Sequence, residues 1–433
     1  MAAGRLDRSR FDAYLAGLAA AVGHADRRGP LGAYLTGLLL PGERKSVEPL
    51  AAKLDPRHVS RVHQSLHHFV ANAPWDERAL LAVARDYALA QLERHAPVGA
   101  WVIDDTAIPK KGTHSVGVAW QYCGVLGKAA NCQVAVSVSL ANRTMSVPAA
   151  WQLYLPEKWA TDARRRTEAG VPGEVEFRTK GQIALEEIDR LLEDDLPPAP
   201  VIADAGYGGA TEFREGLTKR GLSYVVGITG EMTVWPPGQG PLPPAPYRGR
   251  GRPAVLMRRE GAHQPVSVTT LAERLPKTAW TTVRWREGTT GTMASRFAAV
   301  RIRPAHRDAL RREARPVEWL LVEWPPGERE PTKYWLSSVP ESVELTELVG
   351  LAKIRWRIER DYQEMKDELG LDHYEGRGWR GFHHHGVLCM AAYCFLAAER
   401  GRLSPPQALA FLEPAPLPKG FRPRGAARAS GKA

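Results

Sequence analysis

From residue 8 to about residue 95 the apolar positions recur at helical spacing. RFDAYLAGLAAAVG, GAYLTGLLLPG, SVEPLAAKL, VHQSLHHFVAN and WDERALLAVARDYALAQL each carry the 3.6 period, with Gly, Pro and Asp between them. The pattern predicts an all-helical N-terminal domain over residues 1–96. From Val98 the period becomes two. WVIDDT is followed by the alternating runs SVGVAWQYCG and NCQVAVSVSLAN around a glycine-containing turn, which predicts a strand and then a hairpin. VPAAWQLYLPEKWATD reads as an irregular, Trp-rich segment. A helix from about Lys180 to Glu193 leads to the buried strand of APVIADAGYG, then a helix over Ala210 to Arg220 and the strand SYVVGITG. Strand, strand, strand, helix, strand, helix, strand is the order of an RNase H-like core rather than a generic alternation.

Between about Thr229 and Val339 the helical period disappears. A Pro/Gly stretch, PPGQGPLPPAPYRGRGRP, opens a series of short β-rich runs: TTVRWREGT, SRFAAVRIRPA, EWLLVEW and KYWLSSV. Beyond it, LAKIRWRIERDYQEMK predicts one strong helix from Leu351 to Lys366. Leu351, Ile354, Ile358, Met365 and Leu369 form its apolar face, and at about 100° per residue Arg355, Glu359 and Lys366 fall in a narrow sector along one edge. Glu364 and Glu368 project away from that sector. VLCMAAYCFLAAER is a further buried helix, and the Pro-, Arg-, Gly- and Ala-rich residues 403–433 read as a basic, disordered tail. The fold class expected is therefore α/β: an RNase H-like catalytic core (97–228 and 340–402) carrying a β-rich insertion (229–339), preceded by the helical domain.

Charge adds a partner class. In 433 residues, 59 Lys and Arg stand against 48 Asp and Glu, a net charge of +11 with a pI near 9.5. That balance favours a polyanion such as nucleic acid, although solvated surface would account for it equally. Arg44, Lys45, Arg57, Arg61 and His63 make the helical domain either a DNA-end binder or a plain structural cap; no helix-turn-helix register is found. YRGRGR (Arg248, Arg250, Arg252) could track phosphate or serve as a solvated linker. Charges interrupt every apolar run at the N-terminus and no stretch approaches 18 apolar residues, so neither a signal peptide nor a membrane span is expected. Four cysteines (Cys123, Cys132, Cys389, Cys394) do not make a disulfide framework in so long a chain, which points to the cytoplasm.

The candidate chemistry is acidic. Two strand-end aspartates and a late helical glutamate are what a two-metal phosphodiester-cleaving site requires: divalent ions held by carboxylates activate the nucleophile and stabilise the leaving oxygen. Asp105 or Asp104 could serve as the first ligand, but adjacent strand residues point to opposite faces, so only one holds metal directly. Asp204 supplies the second and Glu359 the third. Each has a plain alternative, a turn-forming aspartate before Gly206 and an i,i+4 ion pair between Arg355 and Glu359. Cys389 and Cys394 with His383, His384 and His385 fit no standard zinc spacing. DAGYGG lacks the full spacing of a phosphate-binding glycine loop, so ATP is not expected.

IDDTAIPKKG, DAGYG, SRFA and RWRIERDYQEMKDELGLDHYEGR, in this order over roughly residues 10 to 400, resemble bacterial insertion-sequence transposases of the DDE superfamily. The resemblance is to the IS-four-like group, whose signature spaces Tyr, Arg, Glu and Lys as Y-x2-R-x3-E-x6-K. Arg355, Glu359 and Lys366 match in identity and spacing; the tyrosine position is Ala352, a departure that touches one phosphate contact and not the metal set. The family's first aspartate commonly stands in a D-D-T context, which selects Asp105, and its second follows a small-residue strand, which selects Asp204. The resemblance implies cut-and-paste DNA transposition: a metal-dependent cut at a transposon end, then attack of the exposed 3′ hydroxyl on target DNA. It further implies two Mg²⁺ ions, with Mn²⁺ as a substitute, on Asp105, Asp204 and Glu359. Arg355, Lys366, Lys110 and Lys111 would contact DNA, and a homodimer would hold the double-stranded ends and target at the bacterial nucleoid. Trp285 is a candidate for stacking on a flipped base. A silent, domesticated DNA-binding regulator and a stand-alone nuclease of the same fold are the rival readings.

Overall fold

The computed structural model describes residues 8–249, 251–288 and 291–403. Five helices come first: α1 (Arg8–Ala21), α2 (Arg28–Leu39), α3 (Val47–Leu54), α4 (Val59–His67) and α5 (Glu77–His95). Asp76 caps α5, its side chain accepting from the amides of Arg78 and Ala79. There follow β1 (Ala100–Pro109), β2 (Ala119–Cys123), β3 (Lys128–Ala141), β4 (Ser146–Leu153), the short α6 (Glu157–Ala160) and α7 (Ala163–Ala169), and α8 (Lys180–Glu193). Thr179 and Gln182 close a reciprocal capping box at the start of α8. Next are β5 (Val201–Ala203), α9 (Ala205–Gly208), α10 (Thr211–Lys219) and β6 (Tyr224–Ile228). Then come β7 (Thr233–Trp235), β8 (Val266–Ser267), α11 (Val268–Glu273), β9 (Thr281–Gly288), β10 (Gly291–Pro304), β11 (Glu318–Trp324) and β12 (Lys333–Ser337). Helices α12 (Leu345–Lys353), α13 (Trp356–Asp367) and α14 (Trp379–Leu403) end the described chain.

The strands form one mixed sheet in the order β2-β3-β1-β5-β6-β12-β11-β10-β7-β8, with β4 also paired to β3 and β9 to β10. β1, β5 and β6 are parallel, and β1 is antiparallel to β3. The β-rich residues after Thr229 thus continue the sheet that begins at β1, because β12 pairs antiparallel with β6. One hydrophobic core runs from Tyr14, Leu18 and Leu35 through Leu80 and Ala88 to the sheet residues Val102, Val138 and Val225. Helix α14 is buried along most of its length, its three histidines with its apolar residues. It is tied to α1 by the Tyr14 hydroxyl donating to the Ala391 carbonyl (2.7 Å) and by an Arg10–Glu399 ion pair (2.7 Å). Among the described residues no helix is long and apolar enough to cross a membrane.

The structure departs from two expectations. The segment read as irregular contains β4, disguised by Pro148. A proline cannot donate to a ladder, and the pairing with β3 shifts between Val138 and Ser139, so that Ser139 faces Pro148 at a bulge. The helix expected to run unbroken from Leu351 to Lys366 is two helices. At the junction the backbone bonds tighten to i−3, from the Ile354 amide to the Leu351 carbonyl and from the Arg357 amide to the Ile354 carbonyl. The apolar face survives the break: Ile354, Ile358, Met365 and Leu369 are buried. The tail expected over residues 403–433 lies, beyond Leu403, outside the described residues, as does Arg250.

Candidate active site

In parallel strands the carboxyl ends lie at one edge of the sheet, where open α/β sheets build their sites. Trp101 pairs with Val201 and Val102 with Ile202. Continued two residues further, that register sets Asp104 beside Asp204. Asp204 immediately follows β5 and caps α9, its Oδ1 accepting from the amides of Gly206 (2.9 Å) and Tyr207 (3.4 Å). This turn presses on β6. A Cβ on Gly208 would stand 1.9 Å from the Gly227 carbonyl oxygen, and one on Gly227 would stand 2.9 Å from the Ala205 nitrogen. Gly208 of DAGYG and Gly227 of VVGI are therefore required by the close approach of two backbones.

Arg355, at the junction of α12 and α13, gathers three carboxylates from three elements. Its Nη1 lies 3.1 Å from Asp104 Oδ1 and 3.7 Å from Asp204 Oδ2, and its Nη2 lies 2.6 Å from Glu359 Oε1. The Asp104 side chain is largely buried, and burial pushes its carboxyl up to about 7 against the opposing pull of the Arg355 guanidinium. The side chains of Asp204 and Glu359 are about half exposed, at 47% and 53%, so the cluster opens to solvent on their side.

Asp105 is placed differently from the expectation. It faces the other side of the sheet, where Lys180 Nζ of α8 pairs with its Oδ2 at 2.5 Å and the Tyr207 hydroxyl donates to its Oδ1. Asp104, not Asp105, shares Arg355 with Asp204 and Glu359. The choice follows from strand register: Val102 pairs with Ile202, and Asp104 and Asp204 each stand two residues beyond that pair.

The cationic candidates divide. Lys366 Nζ donates to the Ala107 carbonyl (3.1 Å), a few residues beyond the aspartates on β1, and burial lowers its pKa. Lys110 Nζ donates to the Tyr374 carbonyl (2.6 Å) and is also lowered by burial, whereas Lys111 is exposed. Arg248 and Arg252 are exposed. Ala352 is buried in the core. Trp285 is half-buried, edge-on to Phe297 with ring centres 5.6 Å apart, and Lys353 Nζ sits 4.7 Å from its ring centre. The clustered imidazoles of α14 have partners other than a metal. His383 Nδ1 lies 3.0 Å from the Trp379 carbonyl and its Nε2 3.2 Å from the Leu153 amide; His385 lies 2.9 Å from both the Tyr34 hydroxyl and the Gly370 carbonyl.

The donor set around Arg355 consists of carboxylate oxygens alone, which suits a hard divalent ion such as Mg²⁺. Among the described residues no group of three His, Cys, Asp or Glu side chains is arranged to hold a metal ion. The guanidinium stands between the carboxylates and carries the positive charge there. The chemistry of the set fits a cation; its present spacing is that of an arginine-bridged cluster.

The family model described as DDE superfamily endonuclease matches residues 17–292, a span that contains Asp104, Asp105 and Asp204. A curated protein of Microchaete diplosiphon, "Probable transposase for insertion sequence element IS701", is 34% identical over 166 residues. That match covers 38% of this chain and 40% of the relative.

Proposed function

The chain belongs to the DDE superfamily endonucleases, and from that premise we propose that it is a DNA transposase. It would cut at transposon ends and join the exposed 3′ hydroxyl to target DNA. The observation that carries the reading is Arg355 drawing Asp104, Asp204 and Glu359 together from β1, the β5–α9 turn and α13. The sheet order β4-β3-β1-β5-β6, with β1 and β5 parallel, supports reading this part of the chain as an RNase H-like core. On this reading residues 97–228 and 340–402 form that core, residues 1–96 bind DNA ends, and residues 229–339 extend the sheet. The similarity to the IS701 element's probable transposase supports the choice of transposition over cleavage alone.

The ligands we propose are Asp104, Asp204 and Glu359, with Asp104 in place of the expected Asp105. Mg²⁺, or Mn²⁺ as a substitute, would activate the attacking oxygen and stabilise the leaving one. The protein's own part is positional. Arg355 would exchange its bond to Asp104 for a DNA phosphate, and Lys366 would hold a second phosphate from the same face of α13. Lys111 is an outer backbone contact. Asp105, fixed by Lys180 and Tyr207, would stiffen the middle of β1 rather than touch metal. The partners are double-stranded transposon ends and target DNA, engaged by a homodimer in the cytoplasm.

Substituting Asp204→Asn and assaying magnesium-dependent end cleavage tests the proposal. Cleavage at the parental level in the variant would refute it. Pre-nicked ends with and without a 3′ hydroxyl then separate a transposase, which joins only the former, from a nuclease that joins neither.

A further inference from the structure

The edge hairpin of the sheet carries a feature that the carboxylate cluster does not use. On β2, Trp120 and Tyr122 are 76% and 66% exposed, and Val125 and Leu126 at the adjoining turn are exposed as well. Edge strands of soluble proteins are normally blunted with charge or covered, and neighbouring bare aromatics on one mark a surface that meets a partner. Two residues apart on a strand, the rings stand on one face roughly 7 Å apart. Paired strand aromatics of this kind are what RNA-binding sheets use to stack successive bases.

The surroundings name the charge of that partner. No Asp or Glu occurs from Thr106 to Pro156, while Lys111, His114 and Lys128 are exposed in the same stretch. The loop carrying Lys111 is pinned to the hairpin. Asn131, which pairs with Trp120, donates from its side chain to the carbonyls of Lys110 (2.7 Å) and Gly112 (2.8 Å), and Arg165 donates to the Thr113 carbonyl (2.9 Å). Two acidic side chains act on Lys110 from the neighbouring segment: Asp372, which lies 3.7 Å from the His373 ring, and Glu375, which is itself paired with Arg44. A symmetric contact with a second copy would set this cationic hairpin against itself, which like charges oppose.

The register relates the hairpin to the carboxylates. Trp120 pairs with Asn131 and Asp104 with Ser137, and the two β3 residues lie an even number of positions apart, so Trp120, Tyr122 and Asp104 share one face of the sheet. Six residues of β3 span about 20 Å, at most about six nucleotides even at the fully stacked spacing of about 3.4 Å each. We infer that the β2–β3 hairpin is a stacking platform for unpaired bases of a DNA strand, with Trp120 and Tyr122 taking the bases and Lys111 and Lys128 the phosphates. The strand so held would reach the carboxylate cluster. This deepens the transposase reading and rests on it.

The test is fluorescence anisotropy of the full-length protein without divalent metal, on a blunt duplex and on the same duplex with a ten-nucleotide single-stranded extension, a length chosen to exceed the roughly six-nucleotide span. The parent is expected to bind the extended probe about tenfold tighter than the blunt one, and Trp120→Ala with Tyr122→Ala to abolish that difference without weakening blunt binding. Trp120→Phe with Tyr122→Phe should retain it. Equal affinity of the parent for both probes, or an equal loss on both in the alanine variant, would overturn the platform. So would a metal-free, DNA-free dimer that dissociates on the alanine substitutions, since the aromatics would then serve a second copy. No chemistry occurs without metal, so this outcome is independent of Asp204→Asn cleavage.

Discussion

Asp104, midway along β1, and Asp204, just past the end of β5, stand in register, each two residues beyond the paired Val102 and Ile202, and one guanidinium, that of Arg355, reaches both. Which of two neighbouring aspartates serves the chemistry then becomes a question of strand parity. Asp104→Asn is expected to lower the rate of end cleavage by about 10³-fold or more, the scale of several kcal/mol of lost charge stabilisation. Asp105→Asn, which only loosens the contacts with Lys180 and Tyr207, should cost about tenfold or less. Quantifying cleaved ends by gel for both variants decides it; the reverse ranking would return Asp105 to the metal.

Arg355 occupies the charge position that a divalent ion would take. Replacing it in Arg355→Gln should lower the melting temperature of the metal-free protein, by about 1 kcal/mol in stability after solvent screening of the half-exposed partners. Saturating magnesium should then raise that temperature more in the variant than in the parent, because the cation no longer competes with a guanidinium. Differential scanning fluorimetry with and without magnesium reads both effects. A smaller magnesium response in the variant would mean that Arg355 helps to build the metal site rather than to bridge it.

The turn at Asp204 tolerates no side chain against β6. Gly208→Ala would drive a methyl into the Gly227 carbonyl, and overpacking against backbone costs about 2 kcal/mol or more. The expected result is a clear fall in the urea midpoint together with loss of cleavage, as Asp204 is carried away with the turn. A variant with parental stability would show that the β5–α9 turn can shift without cost.

Acid should unfold the protein through α14. Neutral His383 and His385 satisfy both ring nitrogens with partners around them, and burial depresses each to about 4. An unfolded histidine titrates near 6.5, so the unfolded chain takes up these protons first. The stability they contribute is full above about pH 6.5 and is lost as pH falls toward about 4, with a slope approaching roughly 2.7 kcal/mol per pH unit for the two groups. Urea denaturation across that range measures the slope, and His383→Gln should reduce it. A flat profile would sink the assignment.

Much of this was legible in the order of residues. The capped, amphipathic α8 lies where its pattern sets it, from Lys180 to Glu193, and the apolar face through Ile358 and Met365 is buried. Local periodicity sufficed wherever one helix face meets the core. It failed at β4, where Pro148 hides a strand that a bulge accommodates, and at Ile354–Arg355, where a long amphipathic pattern conceals a break. The identity of the aspartate in the carboxylate cluster was the hardest case. A D-D-T context points to Asp105, and only the pairing of β1 with β5, which is not a local property, brings Asp104 to Arg355.

β6 has two neighbours of different origin: β5, which leads into the Asp204 turn, and β12, the last strand of the β-rich segment. A protein trimmed of residues 229–339 would keep the acidic cluster but leave β6 with a naked rim of amide and carbonyl groups. Such a minimal enzyme invites stray strands to zip onto it, and it would precipitate before its chemistry could be measured.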